Sequence, residues 1–199
     1  YLKEFGKNPT YLRSVIFNKK KINVSSSIKE ITETSDIIIL AIPSPFLENE
    51  LMKIKLQLKN KIIFSALKGV VPKTHLIVSE HLNKYYKISL DKIGIITGPC
   101  HAEEVALDKL SYLTVACKNK SIGEEMKTAL ESNYIKVKFS KDTMGVENAA
   151  MLKNVYAIIA GVAHGLGYGD NFQSVLISNS VREMKRFINT IYKINRDIN

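Results

Sequence analysis

The chain has 199 residues, 45% of them hydrophobic and 24% charged, with a formal net charge of +10. This is ordinary globular composition for one large domain or one and a half, and the longest apolar runs, 37–42 and 155–163, are too short to span a bilayer. The lysines are scattered and no aromatic-plus-basic motif accompanies them, which argues against nucleic acid, while a positive field suits phosphorylated metabolites. In chain order, residues 35–42 form a continuous apolar run closed by Pro43, the pattern of a strand buried on both faces. Ser44 and Pro45 then open a helix, as N-cap and first helical position, which is expected to reach about Leu58. Strands are expected over 61–66, 93–97, 112–117 and 134–139, with helices over 74–85, 101–107 and 122–132. Strands alternating with helices give a doubly wound, mostly parallel α/β sheet.

From Lys141 the pattern changes to two long helices, 145–165 and 172–192, with no strand between them. The expected organisation is therefore a partial dinucleotide-binding domain over 1–140 and the start of an all-helical domain over 141–199. Cys100 and Cys117 make no disulfide framework and no Cys/His cluster has metal-ligand spacing, so no metal is expected and a reducing cytoplasm fits. No leader-peptide pattern opens the chain. The one glycine-rich stretch, Gly165-Leu-Gly-Tyr-Gly169, follows a helix rather than a strand, so it reads as a C-cap and turn and not as a dinucleotide fingerprint. The phosphate loop of a nucleotide domain would lie upstream of Tyr1, and the chain reads as a fragment.

Lys153 carries the most information. It is a lone cation on a helix with almost no polar face, and Ala149, Ala150, Ala157 and Ala160 share its side at three-, four- and seven-residue spacings. Small apolar neighbours would leave a hollow around the amine, an environment that favours a neutral lysine able to act as a general base; snorkelling of the ammonium to solvent is the plainer alternative. Ligands of an open parallel sheet bind beyond the carboxyl ends of its strands. Three strands end there in Pro43-Ser-Pro-Phe46, Leu67-Lys68-Gly69 and Gly98-Pro-Cys-His-Ala102. Lys68 offers a cation, Gly98 allows close backbone approach, and the amides opening the helix after His101 offer an anion site. Two lysines and a helix N-terminus are expected to converge on one pocket for a small anion. His101, His164, Tyr156 and Tyr168 read as turn, capping and packing residues.

Taken together, Phe64-Ser-Ala-Leu-Lys-Gly69, Gly98-Pro-Cys-His-Ala-Glu-Glu-Val-Ala106 and Ala150-Met-Leu-Lys-Asn-Val-Tyr-Ala-Ile158, with Gly161 and Gly165-Leu-Gly-Tyr-Gly-Asp170, resemble the bacterial NAD(P)-dependent glycerol-3-phosphate dehydrogenases. The resemblance runs in order along essentially the whole chain. It implies interconversion of dihydroxyacetone phosphate and sn-glycerol 3-phosphate with NAD or NADP as cofactor, supplying glycerophospholipid synthesis in the cytoplasm. The partner it implies is a small phosphorylated triose, with no nucleic acid, no membrane insertion, and a homodimer as the oligomer it allows. By the same resemblance Lys153 is the proton donor and acceptor, and Lys68 contacts both cofactor and substrate. Gly98 and Cys100 contact the substrate, and Ala102 the cofactor, with Pro43 and Phe46 flanking the cofactor. Cys100 stands where the family more often has Ser or Thr, and a thiol donates weakly. The family's phosphate loop and its downstream arginine segment fall outside these 199 residues, so this stretch alone is not expected to turn over. The alternatives are another two-domain β-hydroxyacid or ketone dehydrogenase, or a non-catalytic fragment.

Overall fold

The apolar runs become the strands of one sheet. In the computed structural model, which describes residues 1–192, β1 (Ile37–Leu40), β2 (Ile62–Ser65), β5 (Ile93–Thr97), β6 (Ser111–Cys117) and β7 (Ile135–Ser140) pair in the order β1-β2-β5-β6-β7. The remaining elements in chain order are α1 (Leu2–Phe5), α2 (Ile28–Thr34), α3 (Ser44–Met52), the two-residue strands β3 (Val70–Val71) and β4 (Leu76–Ile77), α4 (Val78–Tyr86), a single 3-10 turn (Leu90–Lys92), α5 (Ala102–Val105), α6 (Lys120–Leu130), α7 (Thr143–Gly165) and α8 (Asp170–Tyr192).

Side-chain alternation along the strands builds two cores. Ile63 and Ile93 point to the face covered by Leu47 and Leu51 of α3 and Val78 and Leu82 of α4. Phe64, one residue on from Ile63, points the other way, to Val115, Cys117 and Val137, with Met126 of α6 above them. A period of two delivers apolar groups to both faces, so helices must cover both. Phe64 pairs in register with Gly94, and a Cβ placed on Gly94 would meet the Phe64 ring at 2.1 Å. The glycine is the space the ring occupies.

Four features differ from the sequence expectation. The helix expected from Thr74 starts at Val78, because Val70–Val71 and Leu76–Ile77 first pair as an antiparallel hairpin, a use of β-branched residues that competes with helix. Helix α3 ends at Met52 rather than Leu58, although Ile54 and Leu58 stay buried beyond it. Helix α2, which no apolar period announces, is nucleated by Ser27, whose side chain accepts from the Glu30 amide at 3.3 Å, an N-cap. The sheet is mostly parallel as expected, but β5 and β6 are antiparallel. The segment joining them contains only the single turn α5, too little structure for the crossover that a parallel return requires.

The C-terminal ends of β1, β2 and β5 therefore share one edge of the sheet, since these three are mutually parallel. Helix α7 packs on β5 and β6 and pairs with α8. Its N-terminus is held by Asp142, whose carboxylate accepts from the Gly145 amide at 3.0 Å. The glycine-rich stretch is the α7–α8 turn: α7 ends at Gly165, Gly167 has φ 83°, and the Gln173 side chain donates back to the Ala160 carbonyl at 3.2 Å. Among the described residues no helix is long and apolar enough to cross a membrane.

Candidate active site

Helix α7 rises 1.5 Å per residue, so the ten residues from its start carry Lys153 along β5 to the sheet edge where Gly98 turns. The result is a cavity of about 460 Å³ whose lining includes Thr97 at the end of β5, Gly98 and Pro99 after it, Thr114 of β6, Lys138 of β7, Ala149, Ala150 and Lys153 of α7, and Met184 of α8. Thr97 and Thr114 are cross-strand partners, which puts two hydroxyls beside the turn. The Lys153 amine is exposed rather than sunk in an apolar hollow. Ala150 is buried and Ala149 half-buried, but Ala157 is exposed, so the small-residue surround is closed only on the side toward the sheet. Helix α7 packs on β5 and β6, and Ala149 and Ala150 line the cavity while Ala157 and Ala160 do not.

Of the residues singled out in the sequence, this cavity unites Lys153 and Gly98. Pro43, Phe46, Lys68, Cys100 and Ala102, which follow the ends of β1, β2 and β5, lie outside its lining. Lys68 is exposed on the turn after β2, next to Gly69, which approaches the Ser44 hydroxyl at the start of α3. Pro43 and Phe46, the latter 60% exposed, flank that hydroxyl. Cys100 is half-buried with a free thiol, and Ala102 is exposed. The anion site expected at the amides after His101 is not built: α5 is one turn of four residues and His101 makes no side-chain cap, so almost no aligned dipole stands behind those amides.

Gly98 answers to a closer constraint than ligand approach. Its φ is 151°, and a Cβ there would lie 2.3 Å from the Tyr112 carbonyl oxygen. Both the backbone angle and the neighbouring strand exclude a side chain. Gly98→Ala is accordingly expected to lower stability by about 1–3 kcal/mol through overpacking, read as a lower urea midpoint, and to shift the turn that forms the cavity floor.

Sequence reasoning missed Glu147. It is 2% exposed, six residues before Lys153 on the same helix, and burial pushes its carboxyl up to about 7 against the hydrogen bonds from Ser79 that lower it. The signal was available: an acid inside the nearly apolar stretch that made Lys153 conspicuous. Among the described residues no group of three or more His, Cys, Asp or Glu is placed to hold a metal ion.

A mostly parallel five-stranded sheet between helices, with a lysine-bearing helix packed on β5 and β6, defines the class as a Rossmann-type α/β scaffold. Residues 1–123 match the model for the N-terminus of NAD-dependent glycerol-3-phosphate dehydrogenase, and residues 142–197 the model for its C-terminus. The chain belongs to the NAD-dependent glycerol-3-phosphate dehydrogenase family. It is 34% identical over 187 residues to the glycerol-3-phosphate dehydrogenase [NAD(P)+] of Ectopseudomonas mendocina, covering 94% of this chain and 54% of that protein. To the enzyme of the same name from Aster yellows witches'-broom phytoplasma it is 37% identical over 195 residues, with 96% and 56% covered. The chain spans about half the length of the curated relatives it matches. The fold is that of solved structures from Dunaliella salina (TM-score 0.88, 23% identity, 99% of this chain and 34% of that one) and of glycerol-3-phosphate dehydrogenase from Coxiella burnetii (TM-score 0.84, 23% identity, 96% and 57%).

Proposed function

We propose that the full-length protein carrying this chain interconverts dihydroxyacetone phosphate and sn-glycerol 3-phosphate with NAD(H) or NADP(H), in the cytoplasm, as a supply step for glycerophospholipid synthesis. The observation that carries this reading is the cavity shared by Lys153 and the Gly98 turn, in a chain whose two halves match the two halves of one dehydrogenase family. In this reading residues 1–140 are the dinucleotide-binding part and 141–199 begin the helical part, of which 193–199 lie outside the described residues.

The donor set suits a nicotinamide cofactor. The exposed Pro43 and Phe46 present apolar surface after the end of β1, and Ala102 has only a methyl side chain in the segment after β5. Pro43, Phe46, Lys68 and Ala102 would hold the cofactor, which supplies the hydride when bound. The chain's own contribution is the proton. The Lys153 ammonium donates it to the alkoxide oxygen that develops on reduction, and the amine recovers it in the reverse direction. Lys68 adds positive charge near that oxygen. Gly98 and Cys100 orient the substrate, with Cys100 a weaker side-chain donor than a serine would be. The net charge of +10 favours arrival of a phosphorylated substrate over its expulsion. A homodimer belongs to this reading, and a sedimentation mass of twice the monomer checks it.

The test is reduction of dihydroxyacetone phosphate by the full-length protein, followed as loss of nicotinamide absorbance, against a panel of 2-ketoacids. Turnover confined to the phosphorylated triose supports the assignment. Equal or better turnover of a 2-ketoacid replaces it with another dehydrogenase of the two-domain type.

A further inference from the structure

Beside Lys153, the polar floor of the cavity is one row of side chains laid across three strands. Thr97 of β5 is the register partner of Thr114 of β6, and Thr114 is the partner of Lys138 of β7. Residues directly opposite one another share a face of the sheet, and all three line the cavity that holds Lys153. The next row on that face, two residues along each strand, pairs Ile95 with Ala116, and both are fully buried. The surface thus changes from apolar to polar where it becomes accessible: Thr97 and Thr114 are half-buried and Lys138 is exposed. We propose that Thr97, Thr114 and Lys138 form a phosphate subsite in the floor of this cavity, beside Lys153.

Their donors are unused. Among the described residues neither of these threonine hydroxyls, and neither of the ammonium groups of Lys138 and Lys153, has a hydrogen-bond or ion-pair partner. The hydroxyls of Thr32, Thr34, Thr128 and Thr190, by contrast, donate to helix carbonyls. The other polar side chains of the lining are committed. The Ser140 hydroxyl accepts from the Asp142 amide at 3.1 Å, and Asp142 Oδ1 accepts from the Gly145 amide at 3.0 Å. Two ammonium groups therefore stand against one carboxylate in the cavity. An anion relieves the repulsion between the two lysines, whereas a neutral ligand leaves it in place. Phosphate is the class that fits, because its three terminal oxygens point in different directions and can accept from donors on three adjacent strands, while a carboxylate offers two oxygens in one plane. A lysine on an edge strand also has a plainer use, to block pairing with another chain, and β7 is an edge of the sheet. Lys136 serves that use equally: it is exposed, on the same strand and the same face, but outside the cavity lining. It is therefore the control for Lys138.

The subsite does not depend on the dehydrogenase reading; only the assignment of its occupant to the phosphate end of the substrate does. The deciding measurement is a titration of the full-length protein with inorganic phosphate at constant ionic strength, followed through the methyl resonances of Thr97 and Thr114. Saturable shifts are expected in the wild type and in Lys136→Met. Lys138→Met is expected to weaken phosphate by roughly tenfold, the low end for a charge-assisted hydrogen bond because the position is accessible. Absence of saturable shifts, an affinity unchanged by Lys138→Met, or an equal loss in Lys136→Met overturns the subsite. The KM for dihydroxyacetone phosphate then identifies the occupant. A rise of about tenfold in Lys138→Met, larger than any change in kcat, assigns the subsite to the phosphate of the substrate, as binding common to ground and transition states. An unchanged KM beside weakened phosphate binding supports the subsite with free phosphate as its occupant. Failure of the wild type to turn over the triose would sink the dehydrogenase reading, and the phosphate titration alone would still decide the subsite.

Discussion

Lys153→Ala is expected to lower kcat of the full-length protein by about 10²–10⁴, the usual contribution of a positioned general acid–base, with a much smaller change in cofactor affinity. The expectation rests on position. Lys153 lines the cavity beside the turn after β5, with Lys138 of β7 also in that lining, while Lys68 stands one strand over and outside it. Its exposure gives a substrate oxygen access to the amine. Lys153→Arg separates the two roles a lysine can have. A guanidinium keeps the charge but does not release its proton in this pH range, so an arginine that preserves KM and loses kcat assigns proton transfer to Lys153. Turnover of either variant within tenfold of wild type would remove Lys153 from the chemical step and leave it a binding residue.

The largest structural effect is expected at Phe64. Its side chain is fully buried at the centre of the core between the sheet and α6, and it fills the volume left open by Gly94. Phe64→Ala should cost about 3–5 kcal/mol, a large share of the roughly 5–15 kcal/mol that holds a domain folded. Urea denaturation would show it as a lower midpoint with an unchanged slope. Gly94→Ala alone should also destabilise, because its Cβ would meet the ring. In the Phe64→Ala background that clash is gone, so the pair should be coupled by about 0.5–3 kcal/mol in the double-mutant cycle. Strict additivity would show that the two positions do not share the space assigned to them.

Much of the fold is legible in the sequence because it is set by short-range rules. The runs at 37–40, 62–65 and 93–97 read as strands, and all three are strands of the sheet, although β1 is not buried on both faces as its run suggests, since Ile39 is 46% exposed. Gly165 to Gly169 follows a helix, which is enough to make it a turn. What misled the reading was competition that only partners resolve. The expected helix over 74–85 takes in Leu76 and Ile77, but these two find cross-strand partners in Val71 and Val70. Likewise the single turn of α5 fixes the antiparallel direction of β6, and its shortness is not announced by the residues from His101 onward.

The candidate site divides in the same way. The sequence by itself determines that a lone lysine sits among alanines on a long helix, that glycines and lysines end the strands, and that the motifs are those of one dehydrogenase family, because periodicity and motif order are properties of the chain. Tertiary structure alone decides that Lys153 and Gly98 share a cavity while Lys68 does not, that Gly98 is a glycine because the Tyr112 carbonyl of β6 leaves no room for a Cβ, and that Glu147 is buried against Ser79. These are contacts between residues tens of positions apart. Their geometry depends on how α7 lies across β5 and against α4, which no local pattern encodes.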